Sequence, residues 1–129
     1  MILIVDDDQA LAENCSMFLE SSGYDVDVAL SANEALSKIK SKQPALLISD
    51  CCMPDLTGVQ LSTQLKTKSG GAPFPILLMS GWRQCQVAPG KSYDAFIRKP
   101  FLAENLLIQV QKLMNAKGIT LPANTKELL

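Results

Sequence analysis

The chain has 129 residues, 12 basic and 13 acidic side chains, and a formal net charge of −1. That is one ordinary domain, long enough to fold on its own core, and its charge balance argues against nucleic acid or an anionic membrane as the main partner. It contains no histidine, which excludes a Ser-His-Asp triad, a Cys-His pair and any His-ligated metal.

Met1–Val5 is a continuous apolar run, the pattern of a strand buried on both faces. Leu11, Cys15, Phe18 and Leu19 then recur at helical spacing, with Gly23 as the stop. Tyr24–Leu30 alternates Tyr24, Val26 and Val28 with Asp25 and Asp27, which predicts a half-exposed strand near a sheet edge. Ala32, Ala35, Leu36 and Ile39 form the next helical face, ended before Pro44. Ala45–Ile48 is a second buried strand, and Val59, Leu61 and Leu65 mark a helix that dissolves at Gly70-Gly71. Ile76–Met79 is a third buried strand. Residues Gly81–Ser92 carry Pro89-Gly90 and a weak apolar pattern, which predicts a short or distorted fourth helix. Ala95–Ile97 is a short fifth strand, and Ala103, Leu106, Leu107, Val110, Leu113 and Met114 give the clearest helical stripe. Residues 1–116 form the domain, and 117–129 read as a tail or linker stub. Strand and helix in strict alternation predict an α/β fold, a parallel sheet covered on both faces.

The four cysteines, Cys15, Cys51, Cys52 and Cys85, form no CxxC pair and no zinc spacing. They read as reduced thiols. No apolar run reaches the ~18 residues of a membrane span. The opening MILIVDDD lacks the basic start of a signal peptide. A soluble, cytoplasmic chain without membrane contact is expected.

In an open parallel sheet, function gathers at the carboxyl ends of the strands. Asp6, Asp7 and Asp8 follow the first strand, Asp50 the third, Ser80 and Gly81 the fourth, and Lys99 with Pro100 the fifth. Singly, each has an ordinary explanation: Asp8 as a helix cap, Asp50 as a turn former, Ser80 as loop, Lys99 as surface. Together they place acids, a hydroxyl and a cation on one edge. Carboxylates ~4 Å apart repel by roughly 4 kcal/mol at an effective dielectric of 20. Asp6, Asp7 and Asp50 would therefore raise a pKa or recruit a cation. All-oxygen ligands favour Mg²⁺, with Mn²⁺ or Ca²⁺ behind it. Such a site suits phosphoryl transfer to an aspartate.

The sequence resembles the receiver domain of two-component response regulators, the CheY-like family. The residues that carry the resemblance are Ile2–Asp8, Ile48–Gly58 around Asp50 and Pro54, Leu77–Gly81 and Phe96–Phe101. The match spans residues 1 to about 116, and four motifs in order are far more specific than any one of them. The resemblance implies a (βα)5 flavodoxin-like sandwich with strand order 2-1-3-4-5. It implies Asp50 as phosphoacceptor, Asp7 as a direct Mg²⁺ ligand, Asp6 as one acting through water, and the backbone carbonyl of Cys52 as a third protein ligand. Lys99 would hold a phosphoryl oxygen, its bond to Pro100 cis. Ser80 takes the place of the switch hydroxyl and Phe96 that of the switch aromatic. Cys52 and Trp82 border the path of the attacking water, and a bulky Trp82 implies slow self-dephosphorylation.

The implied donor is a histidine kinase or a histidine phosphotransfer protein. The implied role is a signalling switch in a phosphorelay, not a metabolic enzyme. The chain departs from the family in residues 81–98, a few positions short, and in Ser92-Tyr93, where Gly-Ala is common. Both changes fall on the face many receivers use to dimerise or dock, so a homodimer stays open. Two other readings compete. One is a protein-binding module with a vestigial site. The other is a phosphatase of the haloacid dehalogenase type, which wants a second acid two residues after the first, where this chain has Cys52.

Overall fold

The three unbroken apolar runs become the middle of the sheet. The structure, a computed structural model, describes residues 1–51, 53, 55–67, 74–80 and 93–116. β1 (Ile2–Val5), β3 (Leu46–Asp50) and β4 (Ile76–Ser80) lie inside a five-stranded parallel sheet of order β2-β1-β3-β4-β5. Residues 2–5, 46–50 and 76–79 are all buried. The alternating segments take the edges: β2 (Val26–Ala29) and β5 (Ala95–Arg98) each expose every second residue along most of their length. An apolar residue on both pleat faces needs cover on both sides, which these inner strands have.

Odd and even strand positions feed two cores. Ile2, Ile4, Leu46, Ile48, Leu77 and Met79 pack with Leu19 of α1 (Gln9–Ser21) and with Leu106 and Val110 of α4 (Ala103–Ala116). Leu3, Val5, Leu47, Ile76 and Leu78 pack on the other face with Ala32 and Ala35 of α2 (Ala32–Ser41) and with Leu61 and Leu65 of α3 (Gly58–Thr67). Each fully buried leucine or isoleucine contributes roughly 1.5–3 kcal/mol relative to exposure.

Local chemistry sets the helix starts. Asp8 caps α1, its Oδ1 accepting from Leu11 N at 3.1 Å. Ser31 Oγ accepts from Glu34 N at 3.1 Å at the start of α2. Ahead of α3, Thr57 and Gln60 exchange side-chain acceptors for backbone amides, both at 3.0 Å, a complete capping box. The chain leaves α1 through Gly23 at φ 102°, a left-handed position that favours glycine.

On the β2 edge, Lys38 Nζ donates to Val28 O at 2.6 Å and to Asp27 Oδ1 at 3.1 Å, clamping α2 to the strand. β2 begins at Val26 rather than Tyr24. Tyr24 N is taken by Leu19 O at 3.1 Å and its ring is buried against the α1 side, so it closes the preceding turn instead of joining the ladder. The fourth helix expected within Gly81–Ser92 and the tail 117–129 lie outside the described residues.

Candidate functional site

Register brings the strand tips together. Val5 pairs with Ser49 and with Ala29, Asp50 with Met79, and Ser80 with Arg98. The residues following these positions therefore share one edge.

Asp6 continues the ladder past β1, its N–H donating to Ala29 O at 3.1 Å. Its carboxylate is fully buried, and Oδ1 accepts from Asp8 N at 2.9 Å. That short fold-back turns Asp6 inward, leaves Asp7 exposed and frees Asp8 to cap α1. Asp50 is the last residue of β3 and is also buried. The next residue holds the register, with Cys51 N donating to Met79 O at 2.8 Å.

Lys99 follows β5, and the Lys99-Pro100 bond is cis, as the resemblance implies. Lys99 Nζ donates to Asp6 Oδ2 at 2.8 Å and to Asp50 Oδ1 at 3.2 Å. One carboxylate oxygen each from Asp6, Asp7 and Asp50 lies within 4.8 Å of the others.

Burial alone would push the Lys99 ammonium down. The hydrogen bond and charge of Asp6, followed by those of Asp50, outweigh it and hold Lys99 above its ordinary 10.5. The lysine is therefore a fixed cation among three acids. Beside it, burial and then the Asp6 charge push the Cys15 thiol up, against the smaller pull of Lys99. Cys15 is thus a core thiol rather than a nucleophile.

The donor set can be tested against a metal. All three side chains offer oxygen, and among the described residues a single ammonium, that of Lys99, is bonded to the two buried carboxylates. A hard divalent cation with bonds of about 2.1 Å fits such a group, whereas zinc or copper would want nitrogen or sulfur.

The structure thus joins Asp6, Asp7, Asp50 and Lys99. The Ser80 backbone ends β4 opposite Arg98, on the same edge. The Ser80 side chain, Cys52 and Trp82 lie outside the described residues. Phe96 projects from the edge strand and is 42% exposed.

Two features were not foreseen. A cavity of about 410 Å³ adjoins Lys99, lined by Leu11, Pro100 and Phe101. Asp55 reaches across to α2, its Oδ1 accepting from Ala32 N at 3.2 Å and its Oδ2 from Asn33 N at 3.0 Å. Nothing local in the sequence signals a bond across 22 residues; it follows only from the packing of neighbouring strand tips.

Residues 2–111 match the model of the response regulator receiver domain. The chain belongs to that family.

Among curated relatives, the receiver is 34% identical over 114 residues to the response regulator MprA of Mycobacterium avium, covering 88% of this chain and 50% of that protein. It is 26% identical over 120 residues to the transcriptional regulatory protein TcrX of Mycobacterium tuberculosis, described as probable in that role, covering 92% and 51%. The chain spans about half the length of these relatives. Among solved structures, the signal receiver domain of a histidine kinase from Syntrophus aciditrophicus superposes with a TM-score of 0.78 at 29% identity, covering 89% of each chain. The chemotaxis response regulator CheY4 of Vibrio cholerae gives 0.75 at 28%, covering 87% of this chain and 96% of that one. The receiver is a CheY-like, flavodoxin-like domain of two-component signalling. Among the described residues, no helix is long and apolar enough to cross a membrane.

Proposed function

We propose that this receiver accepts a phosphoryl group on Asp50 from the phosphohistidine of a histidine kinase or histidine phosphotransfer protein, and switches conformation in response. The observation that carries the reading is the placement of the Asp50 carboxylate between a cation and two further acids. Lys99 Nζ lies 3.2 Å away, and Asp6 and Asp7 oxygens lie within 4.8 Å.

An Asp50 oxygen attacks phosphorus. The phosphorus–nitrogen bond to the donor imidazole breaks, and the leaving nitrogen keeps the electron pair, so that an imidazole protonated on its other ring nitrogen departs neutral. Lys99 is placed to hold one phosphoryl oxygen in the transition state without moving far from Asp50. Asp6, Asp7, Asp50 and the backbone carbonyl of Cys52 would hold Mg²⁺, with Mn²⁺ as substitute; when bound, it supplies charge neutralisation for the incoming phosphoryl oxygens.

Ser80, at the end of β4, would take a hydrogen bond position on the phosphoryl group. Phe96 would move from its exposed position toward the sheet as that bond forms, which biases a bistable element. Self-phosphorylation from a small donor and slow self-dephosphorylation are the only catalysis this reading requires.

The test is intact mass after incubation with Mg²⁺ and acetyl phosphate, beside Asp50→Asn. One added phosphoryl group on the parent and none on the variant is the expected result. A parent that takes no phosphoryl group from acetyl phosphate or from a phosphorylated phosphotransfer protein would leave a binding module with a vestigial site.

A further inference from the structure

The two buried carboxylates at the centre of the site stand on a circuit of backbone and side-chain hydrogen bonds, and Asp55 closes it. Asp6 N is bound to Ala29 O at 3.1 Å, which ties the β1 tip to the end of β2. Three residues later the chain enters α2. There Asp55 receives Ala32 N at 3.2 Å on Oδ1 and Asn33 N at 3.0 Å on Oδ2. Residues 51–54 lead back to Asp50, which reaches Asp6 through Lys99 at 3.2 and 2.8 Å.

The bonds at α2 are not spare decoration of a helix start. The first amides of a helix have no intrahelical acceptor. Ser31 takes only one of them here, that of Glu34. The amides of Ala32 and Asn33 are left to a carboxylate from another loop. Asp55 is exposed, yet these amides, that of Asn33 foremost, hold its carboxyl below the usual 3.8.

The anchor it grips is firm. Ala32 and Ala35 are fully buried in the same apolar cluster as Cys51, Met53 and Leu61, and Lys38 fastens the helix to β2. The segment leaving Asp50 is thus pinned at its start by Cys51 N on Met79 O, in the middle by buried Met53, and at its end by Asp55.

We infer that Asp55 is a positioning residue for the cation site. It ties the residue five positions after Asp50 to the start of α2, and through Ala29 to the β1 tip that carries Asp6 and Asp7. The inference rests on the proposed function for the identity of that cation. A helix cap alone would affect stability and nothing else, whereas a brace of the site also sets its affinity for metal.

Mg²⁺ alone is the probe, titrated by calorimetry and by backbone amide spectra into the parent, Asp55→Ala and Asp55→Asn. Removing a group that orients a ligand without touching metal should weaken Mg²⁺ about tenfold in Asp55→Ala, the low end for such supports. Asp55→Asn keeps one acceptor oxygen and should recover part of the loss. In the parent, the Asn33 amide should shift on Mg²⁺ addition, and in Asp55→Ala it should not. Parental Mg²⁺ affinity in Asp55→Ala, with the Ala32 and Asn33 amides deprotected, overturns the inference and leaves a cap. Should Asp55→Ala not fold, parental affinity in Asp55→Asn overturns it equally. A parent that binds no Mg²⁺ overturns both this inference and the proposed function.

Discussion

Lys99 stands closer to Asp6 than to Asp50: its Nζ is 2.8 Å from Asp6 Oδ2 and 3.2 Å from Asp50 Oδ1. The Asp6 side chain is 1% exposed and that of Lys99 20%. The lysine therefore first compensates the more deeply buried acid and only second addresses Asp50.

Lys99→Met should consequently harm the metal-free fold. Removing one partner of a buried pair costs about 3–5 kcal/mol, and the partial exposure of Lys99 lowers this to about 2 kcal/mol. Saturating Mg²⁺ should return most of the loss, because the cation then meets three carboxylates from which the Lys99 charge has been removed. Urea unfolding with and without Mg²⁺ checks both arms. Equal midpoints for parent and variant without Mg²⁺ would show that the pair does not stabilise the chain.

The same pair sets an alkaline limit. Lys99 has a folded pKa above its unfolded 10.5. Its stabilisation is full below 10.5 and is lost as pH rises through the folded value. The stability gap between parent and Lys99→Met should stay level from about pH 7 to about pH 10 and narrow above that. A gap that narrows on going down toward neutral pH would reverse the sign of this argument.

Neighbouring acids should behave in opposite ways. Asp8→Ala removes the cap on Leu11 N and should cost about 1 kcal/mol with little effect on Mg²⁺. Asp7→Ala relieves one of three crowded carboxylates, so the metal-free chain should be no less stable while Mg²⁺ affinity collapses. Calorimetric titration beside thermal unfolding separates the two residues.

The core holds a polar mismatch. Among the described residues, the buried Tyr24 hydroxyl finds no hydrogen-bond partner. Tyr24→Phe removes a desolvated group and keeps the ring, so it should raise stability by about 1 kcal/mol. A lower melting temperature in the phenylalanine variant would mean that the hydroxyl is satisfied in solution.

Trp82 carries the expectation of slow hydrolysis of the phosphoaspartate. Trp82→Glu should shorten the phosphoryl lifetime, read by loss of the phosphorylated mass over time. An unchanged decay would assign Trp82 to packing.

The inner strands were legible because burial on both faces leaves an unmistakable run, as in Ile2–Val5, Leu46–Ile48 and Ile76–Met79. The edge strand β2 was legible by alternation, but its start was not. Tyr24 fits the alternating pattern, yet its N–H is claimed by the end of α1. At the site, Asp6, Asp7, Asp50 and Lys99 were readable because each charged side chain stands directly at or after the end of an apolar strand run. Asp55 was not, because its partners lie on another helix, and a short-range pattern carries no trace of which loops become neighbours. Lys38 escaped for the same reason: its acceptor, Val28 O, is a backbone atom.

Lys99 and Asp6 are separated by 93 positions in the chain. At a synthesis rate of about 5–20 residues per second, on the order of ten seconds pass between emergence of the first acid and emergence of its counter-charge. A nascent chain that ends before β5 lacks the lysine that pairs with both aspartates in the finished fold. The ion pair that joins the strand tips therefore forms only after the fifth strand has been made.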